Sequence, residues 1–269
     1  MSKEALVVAL ADLHCGHIGG ITPPDYWFAA ESTDPKRAQW AEVQRELWNA
    51  YFSLAQEYRR PDVLIVNGDL IDGRGERTGG TELITTDLEA QCHMAAQALE
   101  IWDAKRIICS YGTPYHTGHA GQDWEKHVVD ILGEGAEIHS HPFVKIGEIT
   151  FDIKHFGGTS QIPYGKPTAL GRQWMYNILW AMRQEQPLAQ VILRAHIHSA
   201  AFVGGFRPDW IAFFQPSLQA AMTKWGARMC SNTVDWGILV FHVDGRHMDW
   251  DARVMVLEAN RTEPIEISL

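Results

Sequence analysis

Apolar residues along the chain fall into runs that predict strands and into spaced stripes that predict helices. Ala5 to Ala11 is an unbroken apolar run of strand length followed at once by polar residues and glycines, the pattern of a strand covered on both faces. Thr33, Asp34 and Pro35 then give a helix start signal. Trp40, Val43, Leu47, Ala50, Tyr51 and Leu54 recur at three- and four-residue spacing, which predicts a helix to about Tyr58. A second strand is expected over Asp62 to Asn67, then a glycine-rich loop from Gly68 to Gly80, a helix from about Thr86 to Asp103 and a strand from Arg106 to Tyr111. This is a β-α-β-α-β opening.

Further along, Asp123 to Leu132 reads as a short helix. Phe143 to Ile146 and Ile149 to Lys154, around Gly147-Glu148, read as a hairpin. Pro167 to Gln184 has helical spacing, and Leu188 to Arg194 is another apolar strand. Short alternating runs follow, at Ala200 to Val203, Trp210 to Phe214, Ile238 to Val243 and Met248 to Val256, and predict a mostly antiparallel C-terminal part. No repeat, low-complexity tract or linker interrupts the pattern, so one α/β domain with two sheets is expected over residues 1–269.

Composition changes this picture little. Hydrophobic residues at 46% and charged residues at 21% are ordinary for a globular chain, and no apolar stretch is long enough to span a bilayer. The start, Met1-Ser2-Lys3-Glu4, has no basic flank or cleavage site, so a cytoplasmic protein without membrane association is expected. A net charge of -10 disfavours a protein that coats nucleic acid, although bound cations would reverse the sign locally. Cys15, Cys92, Cys109 and Cys230 form no C-x-x-C pair, which points to reduced thiols. The 13 histidines prompt a search for clustering.

They cluster at strand ends. Asp12-Leu13-His14 follows the first strand, and residues i and i+2 of extended backbone share a face, so both side chains can point at one ion. Asn67-Gly68-Asp69-Leu70-Ile71-Asp72 ends the second, with Gly68 allowing close approach. Arg194-Ala195-His196-Ile197-His198 ends another, and His155 follows a strand beside Gly157 and Gly158. Any one of these is an ordinary turn. Several delivered to the same rim of an α/β sheet are improbable as independent turns.

Together with Gly112-Thr113-Pro114-Tyr115-His116, the ordered series from 12 to 198 resembles the motifs of the calcineurin-like metallophosphoesterases, in particular compact phage-type members. The resemblance implies two mixed β-sheets forming a sandwich flanked by helices, with two divalent ions at the strand ends. One ion would be held by Asp12, His14 and His198, the other by His155 and His196, with Asp69 bridging. Mixed carboxylate and imidazole donors suit Mn first, with Fe, Zn, Ni, Co or Mg as alternatives, rather than Ca. Such a pair activates water and stabilises in-line displacement, and the sequence offers no motif for a covalent nucleophile.

The third motif departs from the family's Gly-Asn-His-Asp or Gly-Asn-His-Glu. Thr113 stands where the family has Asn, and the nearest imidazole is His116, expected either to ligate the second ion or to act as general acid, the ligand role being preferred. His119 and His127 are the fallbacks. Asp72 is expected to orient the catalytic histidine, and Arg74 and Arg77 are candidate phosphate contacts. Tyr26, Trp27 and Phe28 read as a cap on the core, and Arg194 as pointing away from the histidines. The function expected is two-metal hydrolysis of a phosphodiester or nucleotide, a small substrate rather than nucleic acid. The alternatives are a non-catalytic metal-binding scaffold of the same fold and a DNA exonuclease.

Overall fold

Among the described residues, eleven strands and five α-helices are laid out so that nearly every long apolar run ends up covered on both faces. The computed structural model describes residues 4–29, 33–117, 123–158, 162, 164–204, 210–220, 234–261 and 264–267. In chain order the elements are β1 (Ala5–Leu10), α1 (Pro35–Glu57), β2 (Val63–Asn67), α2 (Leu88–Glu100), β3 (Ile107–Ser110), α3 (Pro114–Thr117), α4 (Trp124–Leu132) and β4 (Ala136–His139). Then come β5 (Phe143–Ile146), β6 (Ile149–Ile153), α5 (Gly165–Met182), β7 (Val191–Arg194), β8 (Ala201–Gly204), β9 (Ile211–Phe214), β10 (Trp236–Asp244) and β11 (His247–Met255).

The strands form two mixed sheets, a six-stranded one in the order β11-β10-β1-β2-β3-β4 and a five-stranded one in the order β5-β6-β7-β9-β8. β1 through β4 run parallel, and β10 returns antiparallel against β1 with Ala5 opposite Val243. In the second sheet β6, β7 and β9 are parallel, with β5 and β8 antiparallel at the edges. The expectation of a mainly antiparallel C-terminal part therefore holds for β10 with β11 and for β8 with β9, while β9 also pairs parallel with β7 on its other edge.

Alternation along β1 explains the layers. Val7 and Ala9 join Ile65, Phe151, Ile153, Val191, Leu193, Phe213 and Phe241 between the sheets, whereas Val8 and Leu10 face Leu47, Tyr51, Ala95, Leu99 and Trp102 of the helical side. On the far face of the second sheet Ile192, Ala212 and Phe214 meet Ala169 and Leu170 of α5. The result is an α/β sandwich, helices outside and two sheets within, with the carboxyl ends of β1, β2, β3, β6 and β7 gathered at one rim. Tyr26 and Trp27 pack against the core as expected. Cys15, Cys92 and Cys109 are buried free thiols; Cys230 lies outside the described residues. Among the described residues no helix is long and apolar enough to cross a membrane.

The centre of the inter-sheet layer is aromatic. Phe241 meets Phe151 at 5.3 Å and Phe213 at 5.7 Å, both edge-on, and is fully buried. Phe241→Ala is expected to cost about 3–5 kcal/mol in urea denaturation, because three packed rings cannot collapse around the hole. Phe202→Ala, at a ring that is 58% exposed, is expected to cost about 1 kcal/mol or less. Equal losses at the two positions would contradict this layering.

Candidate metal centre

The rim is built from backbone before it is built from side chains. The loop after β1 is laced to the loop after β2: Asp12 N–H donates to the Gly68 carbonyl at 3.2 Å, His14 N–H to that of Asp69 at 2.9 Å and Cys15 N–H to that of Leu70 at 3.0 Å. Ala195 N–H donates to the His155 carbonyl at 2.8 Å, tying the ends of β7 and β6 together. Asp12, His14, Asp69, His196 and His198 all have positive φ, between 46° and 74°, a conformation that side chains other than glycine adopt at a cost of about 1 kcal/mol or more each. Two glycines permit the approach. A Cβ at Gly68 would sit 2.4 Å from His155 Nδ1, and one at Gly112 would sit 2.1 Å from Asp69 Oδ1.

The side chains converge in two neighbouring groups, Asp12 with His14 and His198, and Asp69 with His155 and His196. In the first, His198 Nε2 lies 3.2 Å and His14 Nε2 3.9 Å from Asp12 Oδ1, and the two Nε2 atoms face each other at 3.3 Å. In the second, His155 Nε2 lies 3.0 Å and His196 Nδ1 4.0 Å from Asp69 Oδ2. Asp69 Oδ2 is also 3.9 Å from His14 Nε2, so this one oxygen faces both groups. His155 Nε2 is not aligned for a hydrogen bond, and both it and Asp12 Oδ1 are buried without a hydrogen-bond partner.

The far sides of the rings are tied off. His155 Nδ1 lies 2.7 Å from the Asn67 carbonyl, which can only accept, so Nδ1 carries a proton and Nε2 is the atom that offers a lone pair once a bound cation displaces its own proton. His14 Nδ1 donates in the same way to the Asp72 carboxylate at 2.9 Å. Among the described residues no Lys or Arg pairs with Asp12, Asp69 or Asp72. Burial acts to raise the Asp69 carboxyl, but the charges of His155 and its other imidazole neighbours hold it well below the ordinary range. Burial acts to lower His155, and the opposing charges of Asp69 and Asp12 lift it to about 10. His14, with burial dominant, is lowered. Oxygen and nitrogen lone pairs thus converge on a buried space with no fixed cation, a donor set that fits divalent transition metals.

The third motif sits differently from its expected place. His116 stands beside His14 (ring centroids 4.6 Å apart) and groups with His14 and Asp72 as a third set that could hold an ion, not with Asp69, His155 and His196, where a ligand replacing Asn would belong. Its Nδ1 donates to the Asp72 backbone carbonyl at 2.7 Å, and Nε2 has no hydrogen-bond partner among the described residues. Asp72 holds His116 through that carbonyl, since its carboxylate is taken by His14 and lies 3.6 Å from His116 Nδ1. Thr113 turns toward Asp69, whose Oδ1 accepts its N–H at 2.7 Å and its hydroxyl at 3.2 Å. Among the fallbacks, His127 is spent on Glu89, and His119 lies outside the described residues.

Arg74 is exposed beside Asp87 and Trp124, and Arg77 lies 4.7 Å over the Tyr115 ring. Arg194 is buried, forked onto Asp152 with both contacts at 2.9 Å, and points away from the histidines as expected. Sequence reasoning missed Thr113 as a partner of Asp69 and the polar cluster beneath the site, where Asn67 is held by Gln215 at 2.6 Å and Ser110 at 2.7 Å. Its only signal is a polar residue closing each of two buried strands. It also missed Glu125, which is fully buried on α4.

No protein-family model matches the chain, and no curated protein matches it. Among solved structures it is similar to a predicted phosphoesterase from Streptococcus pneumoniae, at 12% identity over 94% of this chain and 91% of that one with a TM-score of 0.41. It is similar to an archaeal phosphodiesterase at 12% identity, covering 92% and 99% with a TM-score of 0.46. A third similar structure is Vps29 from Entamoeba histolytica complexed with zinc, at 11% identity, covering 93% and 98% with a TM-score of 0.41. At that distance these are likenesses of shape, and the chemistry rests on the side chains above.

Removing the acceptor behind His14 tests the geometry directly. Asp72→Ala is expected to weaken Mn²⁺ binding, titrated into chelator-stripped protein, by about 10- to 100-fold, because the ring loses the partner that fixes its tautomer and angle. Undiminished affinity would remove Asp72 from that role.

Proposed function

We propose that this chain hydrolyses a phosphate ester, a phosphodiester or nucleotide ahead of a monoester, with two divalent cations, Mn²⁺ first among the candidates. Asp12, His14 and His198 would hold one cation and His155 and His196 the other, with Asp69 as a ligand available to both. One observation carries the reading: Asp69 Oδ2 faces imidazole nitrogens of both groups, beside the buried and unpartnered Asp12 Oδ1 and His155 Nε2 and with no Lys or Arg paired to either carboxylate among the described residues. The resemblance of the ordered motifs to calcineurin-like metallophosphoesterases supports the same reaction class.

When bound, two divalent cations supply the Lewis acidity that acidifies water and offsets the charge of a phosphate in displacement. The protein's own groups do the rest. The Nδ1 bonds of His14 and His155 keep each Nε2 lone pair directed inward. Thr113 fixes one oxygen of Asp69 and so aims the other. His116 is assigned here as the general acid, because the Asp72 carbonyl holds its Nδ1 proton and leaves Nε2, on a partly exposed ring, to deliver a proton to the departing oxygen. Among the described residues no Arg fork is turned toward these groups, which favours a diester monoanion over a monoester dianion.

Turnover of a bis-aryl phosphate diester by the Mn²⁺-loaded protein, exceeding that of the aryl monoester at equal concentration, tests the function. Asp69→Asn is expected to abolish it. A variant retaining more than about a tenth of wild-type kcat, under ~1.4 kcal/mol of transition-state loss, overturns the bridging role. No diester turnover with any divalent cation would leave a metal-binding scaffold in its place.

The role of His116 separates by leaving group. His116→Ala is expected to keep its metal content while kcat falls by about 10²- to 10⁴-fold for an alkoxide leaving group and far less for nitrophenolate. Lost metal, partly restored by excess Mn²⁺, would make His116 a ligand instead.

A further inference from the structure

Glu125 is a buried carboxylate that the proposed chemistry does not use. It lies in the first turn of α4 with no residual exposure. Each of its oxygens accepts one backbone N–H: Oε1 takes that of Leu70 at 2.8 Å and Oε2 that of Gly112 at 2.7 Å. Leu70 directly follows Asp69, and Gly112 directly precedes Thr113, whose N–H and hydroxyl bind Asp69 Oδ1. One side chain therefore pins the loop after β2 and the loop after β3 at a fixed separation, on either side of the carboxylate that faces both imidazole groups.

We propose that Glu125 is a positioning residue for Asp69, acting through the Leu70 and Gly112 amides to hold Asp69 Oδ1 on Thr113 and thereby aim Oδ2 between the two metal groups. The assignment rests on the metal-centre reading for its consequence but not for its geometry. A cation would bind the Asp69 carboxylate itself, whereas a carboxylate anchored to neutral N–H groups fixes the loops and leaves Asp69 free for its ligands. Contact distances confirm how little slack there is. A Cβ at Gly112 would sit 2.1 Å from Asp69 Oδ1, so only a glycine lets the two loops come this close, and Glu125 holds them at that separation. Burial and then the negative charge of Asp69 push the Glu125 carboxyl up to about 8, while the two amide bonds pull it down.

Glu125→Gln keeps the shape but must turn its amide NH₂ toward one of two N–H donors, so one anchor is lost. Amide hydrogen exchange on metal-free protein reads the result. Leu70 or Gly112 loses protection directly, and the informative signal is Thr113, which loses protection by about tenfold or more only when Asp69 swings away. Protection in β1 and β10 should not change. In parallel, Mn²⁺ affinity should fall by about 10- to 100-fold and kcat on the diester should fall with little change in KM. Glu125→Asp, one methylene too short to reach both amides, repeats the measurement should the glutamine variant fold poorly. Unchanged Thr113 protection with unchanged Mn²⁺ affinity in a folded variant overturns the proposal. Lost Thr113 protection in a protein whose wild type binds no Mn²⁺ leaves the positioning intact and overturns the metal reading alone.

Discussion

Two carboxylates, Asp12 and Asp69, are withdrawn from water at the ends of adjacent parallel strands with imidazoles as their only ion-pair partners among the described residues. Nearly everything distinctive about the rim follows from that constraint. A buried carboxylate is costly unless it is paired or hydrogen-bonded, and like charges at this range oppose each other. The chain answers in two ways: it surrounds the pair with histidines, of which His14 and His155 have their outer nitrogens tied down, and it feeds backbone N–H groups to the remaining oxygens. His196 N–H lies 3.3 Å from Asp12 Oδ2, and Thr113 N–H serves Asp69 Oδ1.

The strained backbone belongs to the same account. Eight described non-glycine residues have positive φ, and five of them are Asp12, His14, Asp69, His196 and His198. Single left-handed residues turn the chain sharply, which lets Asp12 and His14, or His196 and His198, present both side chains inward from one short loop. The covered sheets beneath make this tolerable, because strands packed on both faces do not yield to the strain at their ends. The arrangement differs from the expectation drawn from extended i and i+2 geometry. The paired side chains converge through turns rather than along a strand.

Elements with a strong apolar signature were legible before any coordinates. Ala5–Leu10, Val63–Asn67 and Pro35–Glu57 fall where the runs and stripes put them, and the groups at 12–14, 69, 155 and 196–198 meet as their strand-end positions suggest. Ala136–His139 was not legible: a four-residue edge strand that alternates polar residues with half-buried ones lacks the apolar run that marks a strand. The side of the site on which His116 stands depends on how α3 packs over Asp72, a tertiary outcome without local signal. Glu125 reads as an ordinary polar residue of a first helical turn, and its two amide partners lie 55 and 13 positions away.

The pairing of β1 with β10 has a consequence for how the molecule comes into being. β1 is an inner strand, flanked by β2 on one side and by β10 on the other, with Ala5 opposite Val243. While the chain is synthesised, one hydrogen-bonding edge of β1, a wholly apolar strand, stays open until nearly all of the polypeptide has emerged. The loop closure it awaits is among the longest the chain permits, so completion of the large sheet is intrinsically slow and the waiting edge is a hazard for pairing with a neighbour. His198, supplied by the loop after β7, likewise reaches Asp12 only across most of the sequence. Nascent chains of this protein therefore carry an unpaired strand edge and an incomplete rim over the same interval.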